Sequence, residues 1–385
     1  MQVVVVGGGF GGVKAALELS KRKVGKITLI SDESYFLHHA TLYATATGRN
    51  LAESVIPLEA IFANHPNVTI VNDKIRHLDE HRRTIIGKKG QYKYSQLVLA
   101  LGSVTTFFGI KGVKEHAFGI KTLDEVKDFQ NHIHDEVVEK KLDKEYFVIG
   151  GGPTGVELAA ALNEYLQSLV KLYRISGARS KVTLIEAAPR ILPRMSKTAS
   201  RKVTKQLISL GIRVKVNHKV EALNDDSIIV DGKEYPTTTA VWTSGVANNP
   251  FFKRHDDIFT LAPNGRVVVN PYLEATAGIY VVGDNNTVKH SGMAWPALKQ
   301  ATHAADQIAR LKNKRNRHHY RSYSVPAGVP VGESWAYVEW HGMYVSGRFG
   351  ALVRRLMELY GYCQLVSLRT ALPIWRAHDL QHVDE

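Results

Sequence analysis

One pattern occurs twice in this chain, and it restricts the fold more than any other feature. An apolar run enters a glycine-rich turn, a helical pattern follows, and a second apolar run closes the unit. The first copy reads VVVVGGGFGGVKAALEL, with Gly7, Gly9 and Gly12 spaced as G-x-G-x-x-G, and leads to the strand Lys26 to Ile30. The second reads YFVIGGGPTGVELAAAL, with Gly150, Gly152 and Gly155, and leads to Lys181 to Ile185. A lone G-x-G-x-x-G is a weak signal. Two copies, each after a strand and before a helix, predict an α/β fold with two Rossmann-like dinucleotide-binding units. The first glycine permits the tight turn, the second lets backbone approach a pyrophosphate, and the third lets helix and strand pack closely. The helix N-terminus then offers free N–H groups and a positive dipole end to the phosphates.

An acidic residue ending the next strand should accept hydrogen bonds from a ribose. In the second unit this is Glu186, and its carboxylate would repel a 2′-phosphate, favouring NADH over NADPH. The long spacing from Gly150 follows from the extended helical stretch Val156 to Tyr173. In the first unit Ser31 stands where the acid is expected and Asp32 follows. Asp32 is the candidate ribose contact, with a solvated turn as the alternative. Three further apolar runs end in glycine, at Gly102, Gly245 and Gly283, where backbone could approach a cofactor. Asp284 follows the last of them and could bond a ribityl hydroxyl or cap a helix.

The chain has 385 residues, enough for two or three domains. With 50 basic and 36 acidic side chains, its +14 charge calls for an anionic partner: nucleotide, membrane surface, nucleic acid or acidic protein. The single cysteine, Cys363, excludes an internal disulfide, a C-x-x-C pair and a cysteine-ligated zinc site. It also removes flavoenzyme mechanisms that need two cysteines, and no metal site is expected. The first strand starts at Gln2, leaving no room for a signal peptide. No apolar run reaches the roughly 18 residues of a transmembrane helix, so a cytoplasmic protein is expected.

The tail is distinctive. Residues 310 to 321 carry Arg310, Lys312, Lys314, Arg315, Arg317 and Arg321 with no acid. A helical pattern then runs from Arg348 to Val366. Phe349, Leu352, Val353, Leu356, Leu359, Tyr360 and Cys363 fill one face, with Arg354, Arg355 and Glu358 opposite. Such a helix either lies in a membrane interface with its arginines at anionic headgroups, or packs on the protein body or a second subunit. Gly350 and Gly361 weaken it.

These residues together resemble the type II NADH dehydrogenases, within the flavoprotein group of pyridine nucleotide oxidoreductases. The resemblance runs from Val3 to about Leu311. It rests on GGGFGG at 7 to 12, LYATATG at 42 to 48, LVLALGSVTTFFGI at 97 to 110, GGGPTGVELA at 150 to 159, VTLIEAAPRILPRM at 182 to 195, WTSGV at 242 to 246 and VVGD at 281 to 284. It implies an FAD-binding domain from residues 1–112 and 247–315, an inserted NADH-binding domain at 113–246, and a membrane-docking or dimerising region at 316–385. By the same resemblance Gly7, Gly9 and Gly12 hold FAD phosphates and Asp284 the ribityl chain. Gly150, Gly152, Gly155 and Glu186 hold NADH, and Gly245 lies near the nicotinamide.

The catalytic candidates are Glu157, Lys299 and His303. Glu157 matches a family glutamate close to where nicotinamide meets flavin; an ordinary acid complementing the helix dipole is the alternative. Two departures stand out. Ala100-Leu101-Gly102 replaces the usual Ala-Thr-Gly, and Lys299 and His303 replace two glutamines, with Gln300 one residue off. At i, i+4 they share a helix face. That face is expected to border the isoalloxazine, where a cation would favour anionic reduced flavin and His303 could relay a proton; a solvent-facing pair is the alternative.

The implied activity is oxidation of NADH with electron transfer to a membrane quinone, without proton pumping, at the cytoplasmic side of the cell membrane. Two other readings remain open: reduction of a soluble acidic carrier such as a ferredoxin, and an NADH-responsive binding protein. A homodimer is compatible with the tail. Nucleic acid becomes a remote option, and sulfide:quinone chemistry is disfavoured because it uses paired cysteines.

Overall fold

The computed structural model describes residues 1–139, 141–142, 144–175 and 180–379. The helices that position the site are α1 (Phe10–Lys21), α2 (Leu42–Ala46), α3 (Leu123–Val138), α4 (Pro153–Leu172), α5 (Ala294–Lys312), α6 (Arg348–Cys363) and α7 (Leu368–Arg376).

Two parallel sheets form the frame. The larger has six strands in the order Glu274–Thr276, Ile279–Val281, Gln96–Leu99, Gln2–Val6, Lys26–Ser31 and Val68–Asn72. Segments from residues 2–99 and 274–281 therefore share one sheet. All its pairings are parallel except the edge pair Glu274–Thr276 with Ile279–Val281. Parallel strands covered on both faces read as continuous apolar runs, which is why Val3, Val4 and Val5 are all fully buried. The second sheet has four parallel strands in the order Arg213–Val216, Lys181–Glu186, Glu145–Ile149 and Ala240–Trp242. In each sheet the first strand of the glycine motif lies inside, with its sequential successor on one side and a later strand on the other. That is a topological switch point, and ligands of open α/β sheets bind at such a point, beyond the strand C-termini.

α1 packs along α5 over the larger sheet. A three-stranded antiparallel sheet (Ala327–Pro330, Ala336–Trp340, Met343–Gly347) leads into α6 and α7. Gly350, which weakened the helix expectation, has a packing reason. A Cβ there would lie 2.3 Å from the Ala336 carbonyl oxygen, so its absence lets α6 press against the hairpin.

The structure corrects the place of the arginines in α6. Most of the apolar face points outward, as the membrane-interface reading requires, with Leu359 and Cys363 partly packed on the core, but the arginines turn toward the protein body. Arg354 and Glu358 are 8% and 5% exposed, whereas Phe349, Leu352, Leu356 and Tyr360 are 64%, 54%, 51% and 48% exposed. Periodicity identifies faces, not which one meets the core. Here the charged face neutralises itself: Arg354 and Arg355 each reach Glu358 at 2.8 Å. The expected arginine contact with headgroups is therefore not available to Arg354, and Arg355 also donates to the Trp375 carbonyl at 2.7 Å. The helix ends at Cys363, three residues before the expected Val366. Among the described residues no helix is long and apolar enough to cross a membrane.

Candidate functional site

The two glycine loops have nearly the same geometry. Gly7 and Gly150 take φ values of +114° and +116°, open only to glycine at low cost. Their N–H groups bond Ile30 and Ile185 carbonyls, each at 2.8 Å. A Cβ on Gly12 would sit 1.8 Å from the Gly7 carbonyl oxygen, and one on Gly155 would sit 1.8 Å from that of Gly150. The third glycine thus brings each helix onto its own strand. At Gly9 and Gly152 a Cβ would meet nothing within 4 Å. These two glycines open onto free space at the start of α1 and α4, and neither helix is capped by a side chain. The exposed N–H groups fit a pyrophosphate in both places.

Glu186 ends its strand beside the second loop. Its carboxylate accepts from Gly151 N and Ala188 N, both at 2.7 Å. Ser31 occupies the matching place in the first unit: a Cβ on Gly8 would meet its hydroxyl at 2.4 Å, as one on Gly151 would meet Glu186 Cβ at 2.9 Å. Asp32 lies one residue beyond, exposed, with its backbone carbonyl held by Asn72 at 3.0 Å.

A second group of contacts shapes the floor of the first crevice. Gly102 (φ +66°) has nothing near its Cβ position. Asn285, fully buried, grips it from both sides, accepting from its N–H at 3.0 Å and donating to its carbonyl at 2.7 Å. Asp284 accepts the Ser103 hydroxyl at 2.8 Å instead of capping a helix. Gly283 (φ +76°) donates to Gln300 Oε1 at 2.8 Å, and Asn286 donates to the same oxygen at 2.7 Å. Gly245 (φ +78°) is covered: a Cβ there would lie 2.5 Å from the Phe108 ring.

The three catalytic candidates fall in three environments. Glu157 is the fifth residue of α4 and is 7% exposed, so it is not a first-turn acid on the surface. Burial pushes its carboxyl up to about 8; Glu358 adds to the rise and Arg354 opposes it. Arg354 cannot hold it ionised because it is already paired with Glu358. Arg354 and Glu358, whose charges act on Glu157, also line a cavity of about 180 Å³ with Tyr43, Gly48, Tyr165 and Trp335; Glu157 itself is not on its wall. Its walls are α2, α4, the C-terminal hairpin and the inner face of α6.

Lys299 and His303 do not act as the single face expected of them. Lys299 is exposed, and its ammonium lies 5.9 Å from the Trp295 ring, which stacks on Tyr360 of α6 at 4.8 Å. His303 is buried under the segment after α5, edge-on to His318 (4.9 Å) and Tyr320 (5.2 Å). Burial lowers its imidazole to about 4, so it is neutral at physiological pH, and its Nε2 has no hydrogen-bond partner among the described residues. The i, i+4 rule predicted adjacency but not the returning chain that covers one member of the pair.

Sequence reasoning missed Ser103, Asn285, Gln300, Arg354 and Glu358. A signal existed for the last two: an Arg and a Glu at i, i+4 on a helix otherwise rich in exposed apolar residues. Gln300, set aside as one residue off, is fully buried and holds the Gly283 turn.

Comparison with known proteins adds to this geometry. The family described as pyridine nucleotide-disulphide oxidoreductase matches residues 1–307. The type II NADH:quinone oxidoreductase of Staphylococcus epidermidis is 26% identical over 381 residues, covering 93% of this chain and 94% of that one. Among solved structures, NDH2 from Plasmodium falciparum in complex with NADH superposes with a TM-score of 0.84 at 17% identity, covering 98% of this chain and 97% of that one. The sulfide:quinone oxidoreductase of Aquifex aeolicus superposes with a TM-score of 0.79 at 21% identity, covering 96% and 92%. At those identities the likeness to the solved structures is one of fold.

Proposed function

This chain belongs to the pyridine nucleotide-disulphide oxidoreductase family, and we propose that within it the protein is an FAD-dependent NADH:quinone oxidoreductase working at a membrane surface. The observation that carries the reading is the relation between cavity and tail. α6 turns Arg354 and Glu358 toward a cavity, and these two charges also act on the buried Glu157, while the opposite face of the helix is apolar and exposed. A helix so arranged would lie against lipid on one side and border that cavity on the other. The type II NADH:quinone oxidoreductase name of the Staphylococcus relative supports the same acceptor.

In this reading Gly7, Gly9, Gly12, Gly102, Gly283 and Asp284 would hold FAD, with Asp32 at its adenosine end. FAD, when bound, supplies the hydride and electron chemistry between nicotinamide and quinone. Gly150, Gly152, Gly155 and Glu186 would hold NADH, with Gly245 and Phe108 near the nicotinamide. Glu157, protonated below about pH 8, would carry a proton toward the quinone oxygen. Lys299, exposed beside Trp295 and Tyr360, would stand on the lipid-facing side of α6, away from the cavity. His303, neutral and covered, would position the segment that packs on it. The chain's one cysteine, Cys363, lies at the end of α6. Electrons therefore leave without a dithiol, which separates this protein from the disulphide chemistry in the family's description. A membrane-docked tail also favours a dissolved quinone over a soluble acidic carrier.

The deciding experiment is NADH oxidation by the flavin-loaded full chain with a short-chain quinone, against a ferredoxin at matched driving force. Catalytic turnover with the quinone alone is expected. Turnover with ferredoxin alone would overturn the acceptor assignment, and none with either would overturn the enzymatic reading. Glu186→Ala is expected to raise the KM for NADH about tenfold, the scale of one charge-assisted hydrogen bond, and to narrow the preference over NADPH. An unchanged KM ratio would remove Glu186 from the ribose site.

A further inference from the structure

The turn that carries Asp284 is tied to the other dinucleotide unit by a single lysine. Lys121 precedes Thr122, the N-cap of α3, in the segment expected to belong to the NADH-binding unit. Its backbone N–H donates to Glu125 Oε2 at 2.6 Å, and the capping box formed by Thr122 and Glu125 fixes it at the mouth of the helix. From there its ammonium reaches the first crevice and donates to Ser103 Oγ at 3.1 Å. The Ser103 hydroxyl in turn donates to Asp284 Oδ2 at 2.8 Å. Ser103 follows Gly102, the residue gripped by Asn285 and open on its Cβ side. The chain lacks the hydroxyl that the more usual Ala-Thr-Gly would place at residue 101. Ser103, two residues on, supplies one at the same edge.

The electrostatics of this relay are unusual for a surface lysine. Burial holds the Lys121 ammonium below its ordinary range, while Asp284 and Glu125 favour the charged form. With Lys121 and Asp284 charged, the relay brings one cation and one carboxylate to the crevice. Removing the lysine would leave the carboxylate uncompensated and the Ser103 hydroxyl free to turn. A negative charge beside an electron acceptor disfavours electron uptake, and in a partly desolvated crevice the effect is screened less than in water.

We propose that Lys121 is a positioning residue for the flavin, reaching across from the NADH-binding unit through Ser103 to orient Asp284 and offset its charge, and so raising the midpoint potential of bound FAD. This rests on the reading of the first crevice as the FAD site. Lys121 has no part in moving hydride or proton; it acts through Ser103 and Asp284.

The test uses the full-length, FAD-loaded protein and measures the flavin midpoint by equilibration with a reference dye. Lys121→Met is expected to shift the preference for reduced over oxidised FAD about tenfold toward the oxidised form, which is a fall of about 30 mV for a two-electron couple. Lys121→Arg is expected to restore the wild-type midpoint, since it keeps the charge and a donor. Ser103→Ala, a smaller change, is expected to move the midpoint in the same direction as Lys121→Met. If Lys121→Met lowers thermal stability or FAD affinity but leaves the midpoint at the wild-type value, the lysine is only a strut between two units and the proposal is overturned. A midpoint that falls equally in Lys121→Arg would overturn it as well. Failure of the wild-type apoprotein to take up FAD would instead bring down the FAD reading on which it rests.

Discussion

Glu157→Gln is expected to separate the two halves of the reaction. NADH should still bleach the flavin at close to the wild-type rate, because the substitution leaves both glycine loops untouched. Turnover with a short-chain quinone should fall by at least about a hundredfold, the lower end of what a positioned general acid contributes. The reason lies in the burial of this carboxyl and in the prior commitment of Arg354 to Glu358, which together keep Glu157 protonated up to about pH 8. Wild-type quinone reduction should therefore be level below pH 7.5 and decline above 8, whereas residual activity in the glutamine variant should be flat across that range. Stability supplies an independent reading. A carboxyl raised from 4.5 to about 8 on folding favours the native state most fully below pH 4.5. That advantage is lost as pH rises through 8. Glutamine cannot ionise, so the Tm of the variant should gain on wild type between pH 5 and 8.5. Equal Tm differences at both ends would show that Glu157 is ionised throughout, and the proton role would fall with it.

The extent to which this protein can be read from its sequence depends on the kind of interaction involved. Gly7, Gly9, Gly12 and their counterparts at 150, 152 and 155 were legible because their roles are local. A turn, an open approach and a helix–strand contact are all decided within six residues. Glu186 was legible for the same reason, since it ends the strand that follows its loop. Asp284 was legible as a chemical type, yet its partner Ser103 lies 181 residues away and nothing in spacing links them. The relation of Lys121 to both is equally non-local. α6 shows a different limit. Its outward apolar face agrees with the membrane-interface reading, but that reading set the arginines at the headgroups. That assignment ignored that Arg354, Arg355 and Glu358 could satisfy one another in the interior. A buried ion pair of this kind needs such mutual satisfaction to be tolerated, and only the tertiary structure shows that it is met. His303 failed for a third reason: the returning segment with His318 and Tyr320 covers it, and a helix wheel contains no information about a neighbouring chain.

The inward arginines of α6 change what should hold the protein to a membrane. With Arg354 and Arg355 turned inward, the outward surface of α6 is Phe349, Leu352, Leu356 and Tyr360, and Trp340 and Met343 are exposed on the adjoining hairpin. Half of the six basic residues between 310 and 321 are engaged on the protein itself: Arg310 with Asp306 at 2.7 Å, Lys312 with the Lys23 carbonyl at 2.7 Å, and Arg317 with Glu274 at 2.8 Å. Attachment should therefore depend on apolar burial more than on charge. Leu352→Glu combined with Leu356→Glu is expected to weaken partitioning onto phosphatidylcholine vesicles by about a hundredfold or more, since each leucine contributes about 1.5–3 kcal/mol when buried. Wild-type binding should change little when anionic lipid is added or salt is raised. Turnover with a soluble short-chain quinone should survive the double substitution, because both side chains point away from the cavity that Arg354 and Glu358 line. Turnover with a long-chain quinone held in the vesicle should not. Strict dependence on anionic lipid, abolished at moderate salt, would return the docking role to the arginines and lysines. Equal loss with both quinones would mean that these leucines hold α6 in place, and that its apolar face is not the membrane contact.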